Sequence, residues 1–182
     1  MIKTIGILEL NSIAKGIEVT DAMLKVAQVE MYLTTPTCPG KYVALLYGDL
    51  SSVENAIKTG IRIGGEFVIE DLVIPHVEEQ IFPAITGTTE IKDIKAVGVI
   101  ESLSISSLIE AADACTKEAN VCILEIRLGS GIGGKSYVTL TGDVSDVEAA
   151  VRSGVEAIRQ TGNIVYFTVI PSPHENFKQL LL

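Results

Sequence analysis

The sequence has little of what catalysis and nucleic-acid binding usually require. It contains no tryptophan, only two histidines, and aromatic residues make up just 5% of its 182 residues. Stacking of nucleic-acid bases depends on aromatic side chains, and Ser-His-Asp sites and multi-histidine metal sites depend on histidine. The composition therefore argues against a hydrolase and against a protein that binds single-stranded nucleic acid.

Positive charge and long apolar runs are also scarce. The chain has 14 Lys and Arg residues against 23 Asp and Glu residues, which gives a formal net charge of −9. Because affinity for a phosphate backbone comes from cationic side chains that displace counterions, we expect no nucleic-acid partner. No apolar run approaches the roughly 20 residues that cross a bilayer, so we expect no membrane partner. At 47% of the chain, apolar residues still suffice for a folded core.

Cysteine is sparse and scattered. The three cysteines, Cys38, Cys115 and Cys122, form no CxxC pair, and an odd number of separated cysteines does not make a disulfide framework. The first residues lack the basic segment and long apolar stretch of a signal peptide. Both observations predict a reducing, cytoplasmic location. The apolar neighbours of Cys115 and Cys122 predict that these two pack as small hydrophobic side chains.

The chain contains two copies of one unit. Residues 6–27 align with 98–119, and after a two-residue shift residues 47–60 align with 141–154. Duplication followed by drift in loop length produces this pattern. The identical pairs of the first block include Gly6 and Gly98, Glu9 and Glu101, Ile13 and Ile105, Ile17 and Ile109, Asp21 and Asp113, and Lys25 and Lys117.

Each copy, 1–92 and 93–182, is predicted to form one α+β domain. Its segments follow the order β-α-β-β-α-β, which is the ferredoxin-like plan. Ile13, Ile17 and Leu24 lie on one apolar stripe of the first helix, and two small domains with much apolar surface predict self-association. The first copy has expected strands at 5–10, 29–34, 42–47 and 67–74, a first helix ending near Ala27, a second helix capped by Asp49 or Ser51, and a short helix after Pro75. The second copy repeats these elements at about 97–102, 104–119, 121–128, 136–141, 144–159 and 164–170.

Three segments resemble the signature blocks of bacterial microcompartment shell proteins: GSGIGGK (129–135), GDVSDVEAAVRSG (142–154) and VIPSPHENF (169–177). Two copies in direct order resemble the tandem-domain class of this family, whose trimers imitate hexamers. The resemblance implies a structural, non-enzymatic protein that forms a pseudohexameric homotrimer and tiles with other shell hexamers. It also implies a location in the shell of a compartment within the bacterial cytoplasm.

The resemblance further implies that the loops 35–41 and 129–135 line a central pore. The alignment of the two copies places Cys38 where the second copy has Ile132. The two residues would then alternate around a three-fold axis. The remaining pore residues expected from the resemblance are Thr37, Pro39, Gly40 and Lys41 in the first loop, and Gly131, Gly133 and Gly134 in the second.

The segment TCPGK (37–41) resembles the loop of the iron–sulfur-bearing tandem shell proteins of the propanediol-utilisation compartment. Iron–sulfur clusters are held by thiolates, usually four, and one chain cannot supply four. Three chains around a three-fold axis would bring three Cys38 thiolates to one point. The resemblance therefore implies one [4Fe–4S] cluster per trimer, which would carry electrons across the shell to a redox partner or an enzyme in the lumen.

Two other functions stay open at this point. Without a cluster, the Cys38 loop would form part of a pore that conducts small metabolites. The segment GSGIGGKS (129–136) matches the GxxxxGKS string of a phosphate-binding loop, which would suit a nucleotide-binding trimeric regulator. Such a loop must open a helix, whereas the alternating pattern of residues 136–142 predicts a strand.

Lys25, Lys117 and His174 are expected at the edge of the shell subunit. Each lysine lies four residues after an aspartate, which is also the spacing of an ordinary ion pair on a helix. The resemblance favours contacts with neighbouring shell subunits, and His174 lies in the matching segment PSPHENF (171–177). Ser172 stands where the family commonly has arginine, so we expect weaker or less symmetric edge contacts.

Overall fold

The computed structural model describes residues 4–91, 93–161, 163–179 and 181. These residues group into two compact units. The first contains the described residues up to Val77 together with Gly129–Gly134, and the second contains Glu78–Leu128 and the described residues from Lys135 onward. The predicted domain boundary falls at Lys92, which lies outside the described residues. No helix among the described residues is long and apolar enough to cross a membrane.

The first unit is a four-stranded antiparallel sheet with two helices. The strands lie in the order β2-β3-β1-β4, and each neighbouring pair is antiparallel. Helix α1 packs against α2, and α2 packs against the sheet. The elements are β1 (Thr4–Leu10), α1 (Ile13–Val26), β2 (Glu30–Thr37), β3 (Lys41–Gly48), α2 (Leu50–Gly64) and β4 (Val68–Ile74).

The second unit repeats this arrangement and has two additional short helices, one before its first strand and one after its last strand. The strand order is β6-β7-β5-β8, again fully antiparallel. The predicted β-α-β-β-α-β order of both copies is therefore confirmed. The elements are α3 (Ile81–Thr86), β5 (Ala96–Ser102), α4 (Ile105–Glu118), β6 (Cys122–Leu128), β7 (Ser136–Gly142), α5 (Val144–Ala157), β8 (Ile164–Ile170) and α6 (Glu175–Lys178).

Side-chain caps start the helices near the positions that the sequence predicts. The hydroxyl groups of Ser12 and Ser104 each accept a hydrogen bond from a backbone N–H three residues later. At the start of α2, the Asp49 carboxylate accepts hydrogen bonds from the Ser52 amide at 3.0 Å and from the Ser51 hydroxyl at 2.6 Å. These bonds stabilise the ionised form, so they hold the pKa of Asp49 well below its usual range.

Two aligned glycines let a helix approach the central strand of each sheet. A Cβ atom on Gly6 would lie 2.8 Å from side-chain atoms of Val53 and Ile57 on α2. A Cβ atom on Gly98 would lie 2.7 Å from Val151 on α5. Because any side chain would force the helix away from the strand, the same residue is required in both copies.

The loop predicted over residues 35–41 is shorter than expected. Strand β2 continues through Thr37, with Pro36 opposite Tyr42 and Thr37 opposite Lys41. The predicted strand end near Thr34 is therefore wrong. Proline lacks the N–H group of a ladder, but β2 is an edge strand, where that loss is tolerated.

The predicted apolar stripe of α1 points away from the core. Ile13, Ile17 and Leu24 are 41%, 57% and 43% exposed. The orientation follows from Gly16, where a Cβ atom would lie only 2.3 Å from the ring of Tyr42, so that ring packs directly on the helix backbone. The residues of α1 that are buried are Gly16, Val19, Thr20 and Met23.

Candidate functional site

Cys38 lies in a three-residue turn between β2 and β3. The turn is closed by a hydrogen bond of 2.9 Å from the Gly40 amide to the Thr37 carbonyl oxygen, and the Cys38–Pro39 peptide bond is cis. Gly40 has a φ of 101°, which glycine adopts without strain. The Cys38 thiol is free and the residue is partly exposed. A thiolate at such a turn is accessible to a ligand from outside the chain.

The second predicted loop, Gly129–Lys135, lies beside the Cys38 turn. A Cβ atom on Gly134 would be 2.7 Å from the carbonyl oxygen of Cys38 and 3.0 Å from Pro39 Cδ. The two loops are therefore in backbone contact, and glycine is the only residue that fits. Four glycines of this loop have positive φ angles, namely Gly129, Gly131, Gly133 and Gly134.

An ion pair lies at the base of each loop. Lys41 Nζ is 3.6 Å from Glu9 Oε2, and the Glu9 side chain is fully buried. In the second copy, Lys135 Nζ is 2.9 Å from Glu101 Oε1, and both side chains are more exposed. The sequence alone assigned no role to these glutamates. The sequence does contain a signal that points to them, because both copies have a glutamate at the same position of an apolar strand.

Thr37 and Ser136 flank the two loops with buried hydroxyl groups. Thr37 Oγ1 and Ser136 Oγ are buried and have no hydrogen-bond partner among the described residues. A buried hydroxyl group without a partner costs about 1–3 kcal/mol. Thr37 directly precedes Cys38 in the chain, and its hydroxyl is a donor without a partner among the described residues at the start of the turn. This donor suits a sulfur-rich ligand group, because hydrogen bonds to sulfur stabilise a reduced cluster.

The other two cysteines are poor ligands. Burial raises the pKa of Cys115 to about 12, and it also raises the pKa of Cys122. Because metals bind the thiolate, a raised pKa makes each thiol a weaker ligand than it would be in water. Cys115 is buried, as predicted, whereas Cys122 is only partly buried.

A single chain does not assemble a complete metal site in the part that the structure describes. No group of three His, Cys, Asp or Glu side chains lies close enough to hold a metal ion there.

The GxxxxGKS string does not form a phosphate-binding loop. It leads into strand β7, so the predicted strand is confirmed. Lys135 is paired with Glu101, and Ser136 is fully buried. A phosphate cradle needs a helix N-terminus and an available lysine at this point.

The predicted edge residues are at helix ends. Lys25 in the last turn of α1 pairs with Asp21, and Lys117 in the last turn of α4 pairs with Asp113 at 2.6 Å. His174 precedes α6, where its Nδ1 accepts a hydrogen bond of 3.2 Å from the Asn176 amide. All three residues therefore make local contacts, and Lys25 is the more exposed of the two lysines.

Comparison with known proteins gives consistent matches to one family. The BMC domain model matches residues 4–77 and 96–173. The chain is 43% identical over 176 residues to the bacterial microcompartment shell protein PduT of Citrobacter freundii, covering 97% of this chain and 96% of that protein. A crystal structure of a microcompartment protein from Desulfitobacterium hafniense DCB is 47% identical, with a TM-score of 0.90 and coverage of 98% of this chain and 99% of that one.

A third comparison reflects the internal repeat. The bacterial microcompartment shell protein PduA of Salmonella typhimurium is 38% identical over 88 residues. That match covers 90% of PduA but only 48% of this chain. One copy of the repeat thus corresponds to nearly the whole of the shorter relative.

Proposed function

The chain belongs to the BMC-domain family as a tandem-domain shell protein of bacterial microcompartments, and we propose that its trimer holds one [4Fe–4S] cluster at a central pore through Cys38. Two family matches and 43% identity to PduT over nearly the full length support the shell function. Its role is structural, in the microcompartment shell. The homotrimer, the cluster and the electron transfer are the proposed parts.

The position of Cys38 carries the proposal. The Cys38 turn contacts the loop Gly129–Lys135. The family resemblance assigns these two loops, one from each copy of the repeat, to the pore. Because one chain offers a single accessible thiol at this point, a thiolate cluster needs several chains. A three-fold axis is the simplest arrangement that brings three equal thiols together.

The surroundings of Cys38 fit an iron–sulfur ligand. The glycines Gly40 and Gly134 expose backbone next to the thiol, and the Thr37 hydroxyl is available to donate a hydrogen bond. Such donors stabilise negative charge on sulfur and raise the reduction potential. The Glu9–Lys41 ion pair anchors the first residue of β3, so the turn is attached to a fixed strand.

When bound, the cluster supplies one-electron redox chemistry. The chain then contributes a thiolate ligand and a position in the shell between the lumen and the cytosol. A redox partner or an enzyme in the lumen would exchange electrons with it. We therefore propose a role in structure and electron transfer. We propose no catalytic role, because the relatives are shell proteins.

The test is anaerobic purification of the full chain with measurement of iron, acid-labile sulfide and visible absorbance. We expect about one cluster per three chains, and a mass of three chains by analytical ultracentrifugation. Cys38→Ser should remove the iron and the colour without changing this mass. Cys122→Ser, the matched control at another partly exposed cysteine, should keep both.

Three outcomes would contradict parts of the proposal. Colour that persists in Cys38→Ser would place the ligands elsewhere. A colourless wild type after anaerobic reconstitution with iron and sulfide would favour the open pore for small metabolites. A wild type with the mass of one chain would contradict the trimer itself.

The shell edge is a separate part of the proposal. Lys25, Lys117 and His174 would contact neighbouring shell hexamers, since each is exposed to solvent at a helix end. Electron microscopy of assembled sheets tests this role. We expect Lys25→Ala to reduce sheet formation while the trimer persists, and unchanged sheets would contradict it.

A further inference from the structure

The two ion pairs at the bases of the loops differ in burial. In the second copy, Lys135 and Glu101 are 2.9 Å apart and their side chains are 47% and 29% exposed. In the first copy, Lys41 and Glu9 are 3.6 Å apart, and the exposed fractions fall to 20% and 0%. The same two charges are therefore withdrawn from solvent only in the copy whose loop carries Cys38.

The register of the sheet places the lysine of the buried pair beside the Cys38 turn. Lys41 is the first residue of β3 and lies opposite Thr37, the last residue of β2. Glu9 lies one strand further away, on β1, opposite Val43. The positive charge of the pair thus belongs to the strand that leaves the turn, and the negative charge belongs to the strand behind it.

Burial decides how strongly a charge acts on its surroundings. At a given distance, two charges interact about four times more strongly at an effective dielectric constant of about 20, which suits groups within a protein, than in water at about 80. Salt weakens the effect of exposed charges further. Lys41 should therefore act on groups at its turn more strongly than Lys135 acts on groups at the second loop.

We infer that Lys41, held in place by Glu9, raises the reduction potential of the cluster proposed at Cys38. This inference rests on the proposed function. Thiolate ligands make such a site negative, and reduction adds a further negative charge. A buried cation beside the ligand turn stabilises the reduced form, so it raises the potential. Lys41 acts on the ligand site through its charge and is not itself a ligand.

Glu9 has two effects on this cation. Its carboxylate offsets the free energy that burial of the Lys41 ammonium group costs, because removing a charge from water is unfavourable unless an opposite charge is near. The carboxylate also cancels part of the field of the lysine at the turn. The two charges therefore have opposite effects on the potential: loss of Lys41 lowers it, and loss of Glu9 raises it.

A purely structural role of the pair predicts a different result. If the pair only anchors β3, removing either partner loosens the Cys38 turn in the same way. The two single variants would then change the potential in the same direction. Opposite shifts are therefore the signature of an electrostatic role.

The test is redox titration of the cluster-loaded full chain, followed by visible absorbance and electron paramagnetic resonance. We expect Glu9→Gln to shift the reduction potential to a more positive value, and Lys41→Met to shift it to a more negative value. Glu101→Gln and Lys135→Met are the matched controls in the second copy. Their shifts should have the same directions and less than about half the size, because these charges are more exposed.

A double variant covers the case in which a single substitution removes the iron. Glu9→Gln combined with Lys41→Met leaves no buried charge without its partner, and we expect its potential to be more negative than that of the wild type. Single-variant shifts in the same direction, shifts no larger than those of the controls, or an unchanged potential in the double variant would each overturn the inference and leave the cluster in place. A wild type without a cluster would overturn the proposed function, and this inference with it.

Discussion

The carbonyl oxygen of Cys38 occupies the space that a side chain on Gly134 would need, because a Cβ atom there would be only 2.7 Å away. This contact joins the loop of the first copy to the loop of the second. A Cβ atom on Gly40, which aligns with Gly134, would meet nothing within 4 Å beyond its own chain neighbours. The two loops therefore have identical glycines for different reasons. This close approach restricts the backbone position of Cys38, the proposed ligand.

We predict that Gly134→Ala displaces the Cys38 turn. The added methyl group must push against backbone at a φ of 80°, so we expect a loss of about 1–3 kcal/mol in the free energy of unfolding and lower iron content. Gly131→Ala is the control, since its φ is 77° but its Cβ position is open. Urea unfolding and iron analysis of both variants measure the difference. Equal losses in both would show that backbone conformation, and not the contact with Cys38, is responsible.

A second prediction concerns the ion pairs under the loops. Lys41→Met leaves the fully buried Glu9 carboxylate without its lysine, and removing one partner of a buried pair typically costs about 3–5 kcal/mol. Lys135→Met removes the aligned lysine from a carboxylate that is 29% exposed, so we expect a cost below about 1 kcal/mol. Urea unfolding compares the two. A cost for Lys41→Met no greater than that for Lys135→Met would contradict this account.

Local signals in the sequence predicted most of the fold. The β-α-β-β-α-β order follows from apolar periodicity and from the duplication, and the start of α2 follows from capping by Asp49. These are short-range effects, so a sequence pattern contains them.

Long-range contacts decided the features that the sequence did not predict. The stripe of α1 faces outward because Tyr42 packs on Gly16, and the period of a helix does not specify which apolar face is inward. Strand β2 passes through Pro36 because it lies at the sheet edge. The identical residues Asp21 and Asp113 gave no sign that a segment far along the chain covers only one of them.

The third prediction is a pH dependence from the cap of α2. The pKa of Asp49 is lowered in the folded state, so its ionised form stabilises the fold above the ordinary pKa of 3.8, and this contribution is lost as the pH falls below that value. Asp49→Asn keeps a capping side chain but does not ionise. We therefore expect its stability to decline less steeply than that of the wild type below about pH 4.

The control for this prediction is the aligned residue of the second copy. Asp143 precedes α5 but makes no capping hydrogen bond with its side chain, and it pairs instead with Lys95 at 2.7 Å. Urea midpoints of the wild type, Asp49→Asn and Asp143→Asn, measured from about pH 3 to about pH 7, give the comparison. If the stability of Asp49→Asn falls with decreasing pH as steeply as that of the wild type, other carboxylates must be responsible for the loss of stability in acid.

The last prediction compares two aligned glycines at the helix–helix contacts. A Cβ atom on Gly60 in α2 would meet the flexible ends of Leu8 and Met23, both at 2.7 Å. A Cβ atom on Gly154 in α5 would lie 2.5 Å from Cys115 Sγ and 2.8 Å from the backbone oxygen of Ala111. The flexible side chains of the first site can move, whereas the backbone of α4 cannot.

Alanine at these two positions should therefore have different effects. Alanine is favoured over glycine in a helix by about 1 kcal/mol, which offsets the modest repacking that Gly60→Ala requires, so we expect a change within about 1 kcal/mol of zero. Gly154→Ala should destabilise by about 1–3 kcal/mol through overpacking. Adding Cys115→Ala to Gly154→Ala should recover only part of this loss, because the clash with the Ala111 carbonyl group persists. Full recovery in the double variant, measured by urea unfolding, would mean that the sulfur atom alone makes glycine necessary at position 154.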